Sequence, residues 1–143
     1  MNTSDFFHGA VLLKITNFRP VSLKKYQHNN SSYIVNDKIG IYNKYSQKRI
    51  SPWTFSFSEV HIEEIKIFKN DINNLFIILV CNDNGICCLT FEELCLVLSI
   101  ENQNFPKWIK ASRLKGEKYA ISGSDGKLRY KIGNSDFPSK IYK

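Results

Sequence analysis

The run Leu75-Phe76-Ile77-Ile78-Leu79-Val80-Cys81 constrains this fold more than any other stretch of the chain. It is the longest apolar run, and it falls well short of the roughly 18 residues that a membrane-spanning helix needs. Its length is that of one strand buried on both faces. Its flanks carry start and stop chemistry. Upstream, Ser58 suits a helix N-cap, and Glu59 in the first turn suits the helix dipole. Ile62, Ile65, Phe68 and Ile72 then form an apolar stripe, with Glu63, Glu64, Lys66 and Lys69 expected on the wet side. Downstream, Asn82-Asp83-Asn84-Gly85 reads as a hairpin turn, Ile86–Leu89 as the returning strand, and Thr90 with Glu93 as a capping box opening a helix through Leu98.

The rest of the chain fits around that frame. Residues 4–15 read as a helix, with Ser4 as N-cap, Asp5 in the first turn, and Phe7, Ala10, Val11 and Ile15 near helical spacing. Strands are predicted over 21–28, 33–35 and 39–45, the last two joined by the tight turn Asn36-Asp37. Pro52 fits the start of a strand in which Trp53, Phe55 and Phe57 share one face. Beyond a loop closed by Pro106 come a strand over 108–113 and a hairpin, 119–122 with 127–132, turning at Gly123-Ser124-Asp125-Gly126. Its second strand sets Lys127, Arg129 and Lys131 against Leu128, Tyr130 and Ile132. Phe137, Ile141 and Tyr142 are candidates to pin the tail. A chain of 143 residues suits one domain. The expected fold class is α+β: a single mixed sheet of about six to eight strands, about three helices, and a basic C-terminal β-hairpin.

Charge is the strongest compositional signal. Residues 1–106 hold ten Lys/Arg and ten Asp/Glu, whereas 107–143 hold ten Lys/Arg and three Asp/Glu. The net charge of +7 therefore resides in the last 37 residues. A one-sided surplus of cations suits a polyanionic partner, nucleic acid first. Three basic-aromatic groups are candidates for phosphate and base contacts: Lys44, Lys48, Arg49 and Trp53; Trp108, Lys110 and Arg113; and the stripe Lys127, Arg129 and Lys131. Core packing for the tryptophans, and the solvent face of a hairpin for the stripe, are the alternatives.

Cys81, Cys87, Cys88 and Cys95 lie in apolar surroundings with spacings unlike zinc-ligand pairs. They read as buried small hydrophobes with no metal, in a reducing compartment, hence cytoplasmic. The start lacks a positive leader. His8, His28 and His61 are scattered, with no local signature of a nucleophile.

The order helix, three strands, helix, strand over residues 4–81 resembles the αβββαβ core of the PD-(D/E)XK nuclease superfamily. That resemblance implies an acid on the second strand and a (D/E)-x-K pair on the third, with two carboxylates holding Mg²⁺ beside a lysine. Lys44 matches the motif lysine, but Tyr42 stands at the acid position. Asp37 is the candidate for the first acid, and Glu59 and Glu63 are candidates for a rearranged site. Glu64-Ile65-Lys66 repeats the string, but on a helix. The resemblance thus implies a degenerate nuclease-like core, over about 4–98, that binds DNA without cutting it. No cofactor is then expected. The other readings are a protein-interaction module, a subunit or inhibitor whose basic face meets an acidic partner or which forms a homodimer, and a divergent Mg²⁺-dependent nuclease.

Overall fold

The apolar run forms the body of β5 (Asn74–Cys81) in the computed structural model, which describes residues 2–143. Strands β1 (Leu23–Lys25), β2 (Ser32–Val35), β3 (Ile39–Ser46), β5 and β6 (Gly85–Thr90) make one five-stranded sheet in the order β1-β2-β3-β5-β6. Neighbours are antiparallel except β3 and β5, which run parallel from Ile39↔Asn74 to Ser46↔Cys81. The β2–β3 connection is three residues long; Asn36 and Asp37 are both at positive φ, the geometry that matches the twist of a tight hairpin, and the Lys38 N–H closes the turn on the Val35 carbonyl at 3.1 Å.

Both faces of this sheet are covered, which is why β5 is apolar from Leu75 to Cys81. Ile39, Ile41, Phe76, Ile78, Val80 and Cys88 pack under helix α1 (Thr3–Phe18), through Val11 and Ile15, and under Phe137 and Ile141 of the tail. The helix begins one residue before Ser4, because Asn2 is the cap. Asn2 Oδ1 accepts from the Asp5 N–H at 3.2 Å, and Asp5 Oδ2 accepts from the Asn2 N–H at 3.1 Å. Leu75, Ile77, Leu79, Cys81, Cys87 and Leu89 face the other core, shared with helices α2 (Glu59–Asp71) and α3 (Phe91–Val97). Ser58 and Thr90 cap these helices as expected.

The sheet is not single. Strand β4 (Trp53–Phe57) leaves the first sheet and heads a second one with β7 (Lys107–Ser112), β8 (Ala120–Gly123) and β9 (Gly126–Lys127), in the order β4-β7-β8-β9. The alternation in β4 explains this. Trp53, Phe55 and Phe57 are buried beside Ile109, Ala111 and Ile121 in the α2 core, leaving Thr54 and Ser56 outward. Trp53 is 1% exposed and donates its indole N–H to the Lys48 carbonyl at 2.7 Å. The predicted strand over 21–28 shortens to β1. Just beyond it, Tyr26 is buried against Phe68, ring centroids 4.1 Å apart. Cys81, Cys87 and Cys88 are buried free thiols, but Cys95 is exposed. Among the described residues no helix is long and apolar enough to cross a membrane.

The C-terminal hairpin grips α3. Gly123 lies so close that a Cβ there would stand 2.2 Å from the Val97 carbonyl oxygen. That carbonyl accepts the Asp125 N–H at 3.0 Å, satisfying one of the orphan acceptors at the helix end. The second hairpin strand does not continue as predicted. Leu128 pairs with Ile121 and Ile132 with Tyr119, so Arg129, Tyr130 and Lys131 oppose Ala120 alone. The two extra residues bow outward as a bulge.

Candidate functional site

Strand β3 and helix α2 meet in an antiparallel ladder of side chains. Alternate residues of β3 face the helix, and residues three or four apart on α2 face the strand. Gly40 accepts the Phe68 ring, where a Cβ would sit 2.8 Å from Cζ. Tyr42 donates its hydroxyl to Glu64 Oε1 at 2.6 Å. Lys44 Nζ lies 3.2 Å from His61 Nδ1 and 5.0 Å from the Phe57 ring centroid. Glu64, expected on the wet side, is therefore half-buried against β3.

The ladder sets the local titration. Burial, then the hydrogen bond to Glu64, pushes the Tyr42 hydroxyl pKa up. Burial lowers Lys44 to about 8, with Glu64 working weakly against it. His61 is lowered by burial and then by Lys44. Above Lys44 opens a cleft of about 490 Å³, bounded by α1, the start of β2, the end of β3 and the edge strand β4. His8, 8% exposed, lines it and meets the Tyr33 hydroxyl at 3.2 Å. Burial, then Lys25, lowers the His8 pKa.

The proposed acids do not join Lys44. Asp37 occupies the β2–β3 turn at the opposite end of β3, where its conformation suits the turn and its carboxylate pairs with Lys24 at 2.6 Å. Glu63 is exposed, and Glu59 is exposed in the first turn of α2. Among the described residues no carboxylate lines the cleft. Among the described residues no group of three or more His, Cys, Asp or Glu side chains is placed to hold a metal ion.

A second surface lies on the bare side of the second sheet. Register aligns one row across all four strands: Thr54 opposite Lys110, Lys110 opposite Ser122, and Ser122 opposite Lys127. Ser56 and Trp108 pair in the next row. Lys110 lies 5.9 Å from the Trp108 ring. Beside the row, Lys127, Arg129 and Lys131 border a groove of about 380 Å³ with Ser112 and Ser122.

The expected phosphate-binding residues therefore divide. Lys110, Lys127 and Arg129 are exposed on or beside this face. Lys131 is exposed too, but lies 3.6 Å from Glu117. Lys48 and Arg49 lie on the exposed β3–β4 loop. Arg113 is a structural tie instead. It donates to the Asn84 side chain and carbonyl, each at 2.8 Å, and lies over the Tyr119 ring. Trp53 is core and cannot stack on a base. The basic segment also contains cations that are paired and buried or half-buried. Lys107 is 1% exposed and bonded to Asp125 and Asn102, and Lys140 pairs with Glu93 at 2.7 Å.

Sequence reasoning gave His8, His61 and Glu64 no place in a site and did not reveal the hydroxyl row. The spacing of His61, Glu64 and Phe68 on one helical face was the available signal for two of them. No protein-family model, curated protein or solved structure significantly matches this chain.

Proposed function

We propose that this protein binds nucleic acid through its phosphate backbone, without cutting it, on the bare face of the second sheet. One observation carries this reading: the row Thr54–Lys110–Ser122–Lys127, in which two unpaired ammonium groups alternate with hydroxyls across four strands. Strands about 4.8 Å apart hold those cations roughly 10 Å from each other. Hydroxyls and lysines are both phosphate ligands, and neither reads base identity. Half-buried Trp108, beside Lys110, offers a face on which an unpaired base can stack.

The order α1, β1, β2, β3, α2, β5 supports kinship with the αβββαβ nuclease-like core, with β4 diverted into the second sheet. Tyr42 at the acid position, and a cleft lining above Lys44 without carboxylates, with Glu64 engaged by Tyr42 instead, support binding over Mg²⁺-dependent hydrolysis. The test is retention of single-stranded and duplex oligonucleotides between about 50 and 200 mM salt. Charge reversal at Lys110 and Lys127 should weaken binding and flatten the log–log salt slope by roughly 0.7–0.9 per lost phosphate contact. Unchanged retention in that double variant would overturn this assignment.

A protein partner is the second reading. Ile50 and Leu114 are 71% and 73% exposed, flanked by Lys48, Arg49 and Lys115. An acidic partner with an apolar centre fits such a patch. Absence of retention on any oligonucleotide, with capture on an acidic protein that Ile50→Asp abolishes, would favour it.

A further inference from the structure

Lys44 is a half-buried cation without a carboxylate partner. Its Nζ meets an unprotonated imidazole nitrogen and an aromatic ring, while the nearest acid, Glu64, is engaged by the Tyr42 hydroxyl. Charges withdrawn from water are ordinarily paired, so this ammonium has room for an anion. The cleft above it supplies what an anion needs. Ser4, Ser31, Thr54 and Ser56 bring hydroxyls, and His8 brings an imidazole that is mostly buried. Ser4 lies in the first turn of the sixteen-residue helix α1, whose N-terminal dipole favours negative charge. In the same wall Asn43 is 2% exposed, and its Oδ1 has no hydrogen-bond partner.

We infer that this cleft is a binding site for a phosphate monoester, held by Lys44 Nζ with the surrounding hydroxyls and His8. A monoester fits better than the internal diester of a strand. It carries up to two negative charges against one. With a second pKa near 6, it also retains a P–OH for part of the neutral range, the donor that a wall containing an unpartnered amide oxygen lacks. The volume of about 490 Å³ admits more than a bare phosphate. Two sources share this chemistry, a free nucleotide and the phosphorylated end of a strand. Thr54 and Ser56 belong both to the cleft and to the outward face of β4, so a strand lying on that face would bring its end to Lys44. The site goes beyond the backbone-binding reading and rests on different charged residues.

The test uses the full chain, titrated by calorimetry with adenosine 5′-monophosphate, adenosine, and a short oligonucleotide with and without a 5′-phosphate. At least a tenfold preference for the phosphorylated member of either pair is expected. That preference should be lost in Lys44→Met and reduced in His8→Phe, but kept in Lys110→Glu/Lys127→Glu. Preference within the nucleotide pair alone identifies a small-molecule site, and within the oligonucleotide pair alone a strand-end site. Equal affinity within both pairs overturns the inference, as does a preference that survives in folded Lys44→Met. Loss of oligonucleotide binding in the Lys110/Lys127 variant with the nucleotide preference intact separates this site from the sheet face.

Discussion

Nζ of Lys44 lies 3.2 Å from Nδ1 of His61, and that same nitrogen accepts the Ser58 backbone N–H at 3.1 Å. A ring nitrogen accepting from both carries no proton, so His61 is held neutral with its proton on Nε2. The imidazole thus closes the capping box of α2 and seats the lysine at once. Position N3 of a helix beside a strand end is what lets one ring do both.

Lys44 should make stability depend on pH above neutrality. Its folded pKa of about 8 lies below the roughly 10.4 of an unfolded chain. Between those values Lys44 binds more protons in the unfolded state, so its own contribution to stability rises as pH climbs through this window, against the fall brought by the Cys81, Cys87 and Cys88 thiols, which burial pushes up. His61 and Glu64 on α2 and Tyr42 on β3 are the titratable groups facing it. Lys44→Met should remove that contribution and stabilise the protein near neutral pH, by on the order of 1 kcal/mol, an advantage that shrinks toward about pH 10. Urea midpoints at about pH 7 and about pH 10 measure both effects. A stability difference between variant and wild type that stays the same at both pH values would place the effect elsewhere.

Two glycine substitutions should have opposite signs. Gly123→Ala sets a Cβ 2.2 Å from backbone oxygen on α3 and should cost about 3 kcal/mol or more, by prising hairpin from helix. Gly9 lies on α1 with nothing within 4 Å of its would-be Cβ. Gly9→Ala should stabilise by about 0.5–1 kcal/mol. Chemical denaturation of the pair decides it, and a neutral Gly123→Ala would refute the clamp.

The two tryptophans should report separately. Trp53 is sealed in the core, whereas Trp108 faces outward beside Lys110. Single-stranded oligonucleotide should quench emission in the wild type and in Trp53→Phe, and leave Trp108→Phe unaffected. Trp53→Phe should also lower stability by about 1–2 kcal/mol, since it removes packed volume and the bond to the Lys48 carbonyl.

Lys107 is a structural cation. Removing it in Lys107→Met takes one donor from each of Asp125 and Asn102, which keep the Ser99 and Asn104 backbone N–H groups, and should cost about 1–2 kcal/mol, less than a fully buried pair because Asp125 is partly exposed. Its affinity for oligonucleotide at low temperature should match wild type, while Lys110→Ala weakens binding. A weakened Lys107→Met at full fold would reassign the charge to the surface.

Where local chemistry decided the outcome, the sequence was legible. The apolar run of β5, the caps at Ser58 and Thr90, the turns at Asn36-Asp37 and Asn82–Gly85, and the shared face of Trp53, Phe55 and Phe57 all follow from spacing and short-range bonds. Partner choice did not, because it is non-local. Nothing within β4 says that it pairs with β7, more than fifty residues on, rather than with β3 beside it in sequence. The same holds for Lys107. Its phase with Ile109 and Ala111 pointed inward, but composition alone counted it among the free cations. The α2 residues facing Lys44 needed the strand and helix to be laid side by side.

The outward bow at Arg129–Lys131 has a mechanical consequence. With Tyr130 tied to Glu93 and Lys131 beside Glu117, Arg129 alone carries a charge on the bow that neither a strand register nor an acid fixes, whereas Lys110 and Lys127 are set by register. On the proposed nucleic-acid reading, a strand is thus met by a fixed ruler on one side and a single yielding finger on the other. Such a surface tolerates variation in the spacing of the charges it meets, at the cost of discriminating poorly between them.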